Sequence, residues 1–194
     1  MTVPLKANLK VYQGSTFQQV FRWESATKIY KPITAIYAQA PVTITAAGHG
    51  CPVGWRTKVT NVGGMKEINS TDYKVVTSST ADTVTINEIN ALSYTAYTSG
   101  GVLEYNAPNI LTGLTARCQI REKVSSLEFL DELTTENGGI VIDTSLYTIT
   151  LNITAAKAAL YTFKSAVYSI ELINGITIIP FVYGDVSLIT EITR

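Results

Sequence analysis

Between residues 109 and 123 apolar and polar side chains take turns along the chain. Leu114, Ala116, Cys118 and Ile120 alternate with Thr115, Arg117, Gln119 and Arg121. A period of two sends the two sets to opposite faces of an extended chain. The stretch therefore predicts a strand with one buried and one wet face, as in an antiparallel sheet covered on one side. Leu111-Thr112-Gly113 reads as the turn that feeds it. The same texture occurs near both ends of the chain. Residues 8–13 predict a short strand broken by Gly14-Ser15. Phe17, Gln19, Phe21 and Trp23 then form one side of a second strand, an aromatic stripe suited to a core face. Residues 127–133 predict a strand, Asn137-Gly138-Gly139 a turn, and residues 147–153 a strand with Ile149, Leu151 and Ile153 on one face. Tyr168, Ile170 and Leu172 share one side of a strand over 167–173, and Asn174-Gly175 predicts a hairpin turn. In the last stretch, 176–189, Pro180 and Gly184 argue for a bulge or an edge position. One helix is expected: Thr154 is a good N-cap for a two-turn segment over 155–161.

The texture changes at about residue 34. From there to 107 the chain is rich in Thr, Ala, Gly and Tyr and carries its own short strands, at 42–47, 55–62, 73–77, 83–87 and 102–105. Gly, Ser and Asn turns separate them, and residues 73–77 with 83–87 read as a hairpin-like pair. Lys31-Pro32 and Ala107-Pro108 mark turn-like ends, and a loop tip is where insertions are tolerated. The expected organisation is all-β: a discontinuous sandwich made of residues 1–33 and 108–194, with a small β module inserted at 34–107.

Composition narrows the function classes. The chain has 194 residues, 46% of them hydrophobic, enough for a sizeable core without staples. Charged residues make up 15%, well below the usual share of about 25%. The 15 basic and 15 acidic side chains balance, with no basic stripe, so no nucleic-acid partner is expected. No run of 18 apolar residues is present and the N-terminal segment has no long apolar region, so neither a membrane span nor a signal peptide is expected.

Candidate chemistry is sparse. His49 is the only histidine, so one chain offers neither a catalytic triad nor a two-histidine metal site. It lies between glycines and reads as a turn residue. Cys51 is two positions on, but a Gly-Pro turn orients a Cys-His nucleophile pair poorly and no third group is evident. Cys51 and Cys118 are expected to be free buried thiols. Asp131, Glu132 and Glu136 read as a solvated turn rather than a paired-carboxylate site. No catalytic, metal-binding or cofactor-binding residue is expected, and no cofactor. Tyr94, Tyr97 and Tyr105 stand out, because tyrosine gives a large amphipathic contact at low entropy cost and also stacks on sugars. They are candidate interface or glycan contacts, and the alternative is that the inserted module packs these rings in a small core of its own. Tyr168 suits a corner tyrosine whose hydroxyl caps backbone.

The outer pieces resemble small immunoglobulin-like β-sandwich proteins of tailed bacteriophages, such as the N-terminal domain of phage baseplate upper proteins. The likeness lies in Gln13-Gly14-Ser15-Thr16-Phe17, Lys31-Pro32-Ile33, Leu111-Thr112-Gly113-Leu114-Thr115-Ala116-Arg117, Thr134-Thr135-Glu136-Asn137-Gly138-Gly139-Ile140 and Tyr168-Ser169-Ile170-Glu171-Leu172. The middle is similar to the first catalytic cysteine half-domain of ubiquitin-activating enzymes, through Thr45-Ala46-Ala47-Gly48-His49-Gly50, Val62-Gly63-Gly64-Met65, Tyr73-Lys74-Val75 and Tyr97-Thr98-Ser99-Gly100-Gly101. Neither resemblance implies catalysis. Together they imply a structural accessory protein of a virion, assembled in the host cytoplasm. Its partners would be other capsid, neck, tail or baseplate proteins, in a homo-oligomer or array. A second reading is a carbohydrate-binding adhesin module using Tyr94 and Tyr97, and a third, weaker one is a hydrolase.

Overall fold

The computed structural model describes residues 3–191. Met1 and Thr2 of the N-terminal segment and Ile192, the last residue of the apolar C-terminal stretch 167–192, lie outside the described residues. Those described are nearly all strand and turn, and the chain is all-β. It forms two compact units, one of residues up to Arg22 together with those from Ile110 on, the other Trp23–Asn109.

Strands β1 (Leu5–Lys6), β2 (Leu9–Tyr12) and β3 (Phe17–Arg22) open the chain. The middle unit follows with β4 (Glu24–Pro32), β5 (Ala35–Tyr37), β6 (Val42–Thr45), β7 (Arg56–Gly63), β8 (Lys74–Val75), β9 (Ser78–Ser79), β10 (Thr83–Ile86) and β11 (Ser99–Pro108). The first unit resumes with β12 (Thr115–Arg121), β13 (Asp131–Thr134), β14 (Ile140–Asp143), β15 (Thr148–Ile153), helix α1 (Ala155–Ala159), β16 (Ser165–Asn174) and β17 (Thr177–Ile189).

The outer unit is a two-sheet sandwich. One sheet runs β1-β17-β16-β12-β13, with β2 also on β17, and the other runs β14-β15-β3. Alternation does what it predicts: Ala116, Cys118 and Ile120 of β12, and Ile149, Leu151 and Ile153 of β15, are buried. Phe21 of β3 meets Phe181 of β17 edge to face across the core, with centroids 6.2 Å apart. Thr154 caps α1, accepting from the Lys157 amide at 3.2 Å. In the β16–β17 hairpin Asn174 pairs with Thr177, so Gly175, at φ +58°, takes the first central position of a two-residue turn. Glycine is the residue a II′ turn needs there. The register of the same ladder slips at Phe181, beside Pro180, giving the bulge expected of that stretch.

β17 receives β1 and β2 in parallel on one edge, and between them the chain crosses at Ala7-Asn8. A Cβ on Gly184 would stand 2.0 Å from the Ala7 carbonyl oxygen, so only glycine allows that approach. Tyr168 pairs opposite Gly184, and its hydroxyl donates to the Ala7 carbonyl at 2.7 Å. Its ring therefore lies over the glycine, replacing the side chain that the strand cannot carry there.

The middle unit also has two sheets, β4-β11-β7-β8 and β5-β6-β10-β9. Trp55, Tyr105, Leu103, Met65, Ile44 and Ile86 are fully buried in it. Its limits differ from the expected 34–107. Residues 24–32 form β4, which pairs with β11 from Glu24↔Pro108 to Pro32↔Val102, so the ladder binds them to the insert. The expected pairing of 73–77 with 83–87 forms only at its inner end, where the Thr77 amide donates to the Thr85 carbonyl at 2.8 Å, and Ser78-Ser79 belong to the ladder rather than to the turn. β8 pairs with β7 in one sheet while β9 pairs with β10 in the other, so this segment passes between sheets. The strand expected over 127–133 starts only at Asp131.

Candidate functional site

The three tyrosines singled out from sequence meet different fates. Tyr105 points into the core of the middle unit, where its hydroxyl donates to the His49 carbonyl. It is not a surface contact, because the alternation of β11 sends Leu103 and Tyr105 inward together. Tyr97 is half-buried, and its hydroxyl is shared between the carbonyls of Ile33 and Gly100, at 3.1 and 3.0 Å, which latches the loop before β11. Tyr94 is half-buried and lines a cleft of about 250 Å³, its hydroxyl making no hydrogen bond to any described residue.

That cleft is built from fixed parts. Glu67 accepts from the amide and hydroxyl of Thr95, at 3.0 and 2.8 Å, and so holds the loop that carries Tyr94. Asn69 pairs with both backbone groups of Val62, and the Asp72 amide is bound by the Ser70 hydroxyl. Ile68, Ile86 and Val59 supply buried apolar walls. At the rim Lys74 pairs with Glu88 at 3.3 Å, while the Asp72 carboxylate has no partner among the described residues.

His49 follows directly on a turn, and its side chain is buried. Its Nδ1 accepts from the Cys51 amide at 2.9 Å, so the neutral ring carries its proton on Nε2, which has no hydrogen-bond partner among the described residues. Burial is the main cause that lowers the His49 pKa. Cys51 and Cys118 are free and buried, and burial pushes both thiols up to about 12. A thiol so protonated is a poor nucleophile, and the histidine engages the cysteine amide rather than its sulfur.

Two charged clusters were not visible in the sequence. Glu104, on the face of β11 opposite Tyr105, accepts from Lys28 at 2.5 Å and Tyr73 at 2.6 Å and pairs with Lys58 at 3.4 Å. The hydrogen bond from Lys28, then that from Tyr73, takes its carboxyl down to about 2. In the outer unit Asp131 is buried, not solvated as expected. Tyr161 donates to it and Lys157 pairs with it at 2.7 Å, which ties α1 and the segment after it to β13. Charges on facing strands, Glu104 against Lys58 and Lys28, were the one sequence signal available, and it needed the register to be read. No group of three or more His, Cys, Asp or Glu able to hold a metal occurs among the described residues. Nor is any helix among them long and apolar enough to cross a membrane.

The loop 122–130 gathers several exposed apolar side chains. Leu127 is 91% exposed and Phe129 49%, with Val124 and Leu130 also outward. The loop is nonetheless held: the Arg121 guanidinium donates to the carbonyls of Ser126, at 2.6 Å, and Leu127. Val124 walls one side of an open trough of about 480 Å³ on the outer face of the large sheet, with Val167, Tyr183 and Arg121 among its lining.

No family model matches the sequence, and no curated protein matches it.

Proposed function

We propose that this chain is a non-enzymatic structural accessory protein of a tailed-phage virion, docking on the capsid or on the neck, tail or baseplate through its discontinuous sandwich. The phage assignment rests on the sequence likeness of the outer segments, an associational warrant. The observation that carries the docking role is the loop 122–130. A mobile loop would lose entropy on binding, but this one is pinned by Arg121 and presents Val124, Leu127, Phe129 and Leu130 beside a trough. Exposed apolar side chains gathered next to a concave surface mark protein contact sites. The partner is another particle protein with an apolar patch, and repeated docking on a symmetric particle yields a ring or array.

The test is quantitative mass spectrometry of purified virions carrying either the wild-type chain or Leu127→Asp/Phe129→Asp. The wild type is expected in the particle, on the order of hundreds of copies for a decoration protein or a single ring's worth for a neck, tail or baseplate component. The double variant is expected to melt like the wild type and to be depleted from particles. Absence of the wild-type chain from virions overturns the virion reading. Full incorporation of the variant overturns the role of the loop.

A further inference from the structure

We propose that the Tyr94 cleft of the middle unit binds a neutral or amino-bearing pyranose. A sugar ring has an apolar C–H face and a rim of hydroxyls, and the cleft is built the same way. The half-buried Tyr94 and Ile89 offer its accessible apolar wall, backed by the buried Ile68, Ile86 and Val59, and polar groups line the rest. Its volume of about 250 Å³ suits a single ring rather than a chain of them.

The polar groups divide into those already spent and those left over. Glu67, Asn69 and the Ser70 hydroxyl are consumed in holding the walls. The Asp72 carboxylate and the Tyr94 hydroxyl have no protein partner among the described residues, and Lys74 and Glu88 hold each other at the rim. An unpaired carboxylate accepts from two adjacent sugar hydroxyls, and a lysine–glutamate pair offers both a donor and an acceptor to a third. The walls are ordered before any ligand arrives, so little conformational entropy is lost on binding.

Charge decides between sugar classes. Three carboxylates, of Glu67, Asp72 and Glu88, face the cleft against one ammonium, of Lys74. A uronic or sialic acid would bring a further negative charge into that field, whereas a neutral or amino sugar would not. This inference is independent of the virion reading, since sugar binding and particle incorporation are separate readouts.

The test is saturation-transfer-difference NMR on the full chain with glucose, galactose, N-acetylglucosamine and glucosamine as probes and N-acetylneuraminic acid as the anionic control. At least one neutral or amino probe is expected to receive saturation, and the anionic control none. Tyr94→Ala and the isosteric Asp72→Asn are each expected to weaken that probe about tenfold or more, the range for losing a hydrogen bond to a charged group. Tyr12→Phe, an exposed position on β2 of the outer unit, is expected to leave binding unchanged, and thermal melting establishes that each variant is folded. No transfer to any of the four probes overturns the proposal. So does transfer that survives in folded Asp72→Asn and Tyr94→Ala, or an equal response from the anionic control.

Discussion

Glu104 shows what a single side chain contributes when its neighbours are chosen by strand register. Lys58 stands directly across the β11–β7 ladder from it, and Lys28 and Tyr73 reach the same carboxylate from other segments. Because the folded carboxyl titrates near 2, below the ordinary 4.5, the unfolded chain binds more protons in that interval. The stability this residue supplies is therefore complete above about pH 4.5 and is lost as pH falls towards 2. Glu104→Gln is expected to be clearly less stable than wild type at about pH 7, with the gap closing on acidification; urea midpoints across the range measure it. A constant gap would assign the cost to packing instead. The residues legible from sequence alone were those whose role is local or generic. Tyr168 read as a backbone-capping corner tyrosine and does cap the Ala7 carbonyl, and the cysteines read as free and buried. For Tyr105 the sequence left two readings open, surface contact or small core, because nothing in its immediate neighbours says which face of β11 turns inward; the structure takes the second.

At the scale of the element, periodicity was a good guide where a strand has one buried face and a poor one where the chain changes sheets. β12, β15 and β16 follow their alternation. Residues 127–130 look as apolar as a strand, yet the strand starts only at Asp131, and Arg121 holds the carbonyls of Ser126 and Leu127 in the loop before it. Of residues 73–77 only Thr77 joins the pairing with 83–87, because two-residue strands carry too few positions for a period to show where one ends and the next begins. β17 is the element most constrained by its partners. It bonds β16 on one side and the crossing from β1 to β2 on the other, and Gly184 sits at that crossing. Gly184→Ala would drive a methyl into the Ala7 carbonyl, a backbone atom that cannot swing aside as a flexible side chain could. The expected loss is about 1–3 kcal/mol, the range for overpacking, read from the denaturation midpoint. Hydrogen exchange should quicken at the Ala7 and Asp185 amides, which bond to Tyr183 and Asn8 across the crossing. Protection unchanged at those amides would show that the crossing relaxes without consequence.

At the scale of the whole molecule, the sequence made visible that one β unit interrupts another, through a change of texture and a pair of prolines, but it misplaced the cut. Turn residues at 31–33 suggested an end to the first unit, whereas hydrogen bonding assigns residues 24–32 to the second. A deletion drawn at the turn-like sequence, from 38 to 106, would therefore strand β4 without β11 and expose a nine-residue edge, an invitation to aggregation. The cut that respects the ladders joins Arg22 to Ile110. Its two ends are close, since the Asn109 amide donates to the Trp23 carbonyl at 3.0 Å, so a short Gly-Ser bridge should span them. All nine strands of the outer sandwich remain, with β3 still bonded to β15 from Phe17↔Ile153 to Arg22↔Thr148. The shortened chain is expected to be soluble, with dispersed amide resonances and a cooperative melt, and a 23–109 fragment should fold for the same reason. The 38–106 deletion is expected to aggregate or to melt at a lower temperature than the 23–109 deletion. If both deletions behave alike, residues 24–32 do not depend on β11. If the 23–109 deletion fails to fold, the outer sandwich needs the insert for its stability.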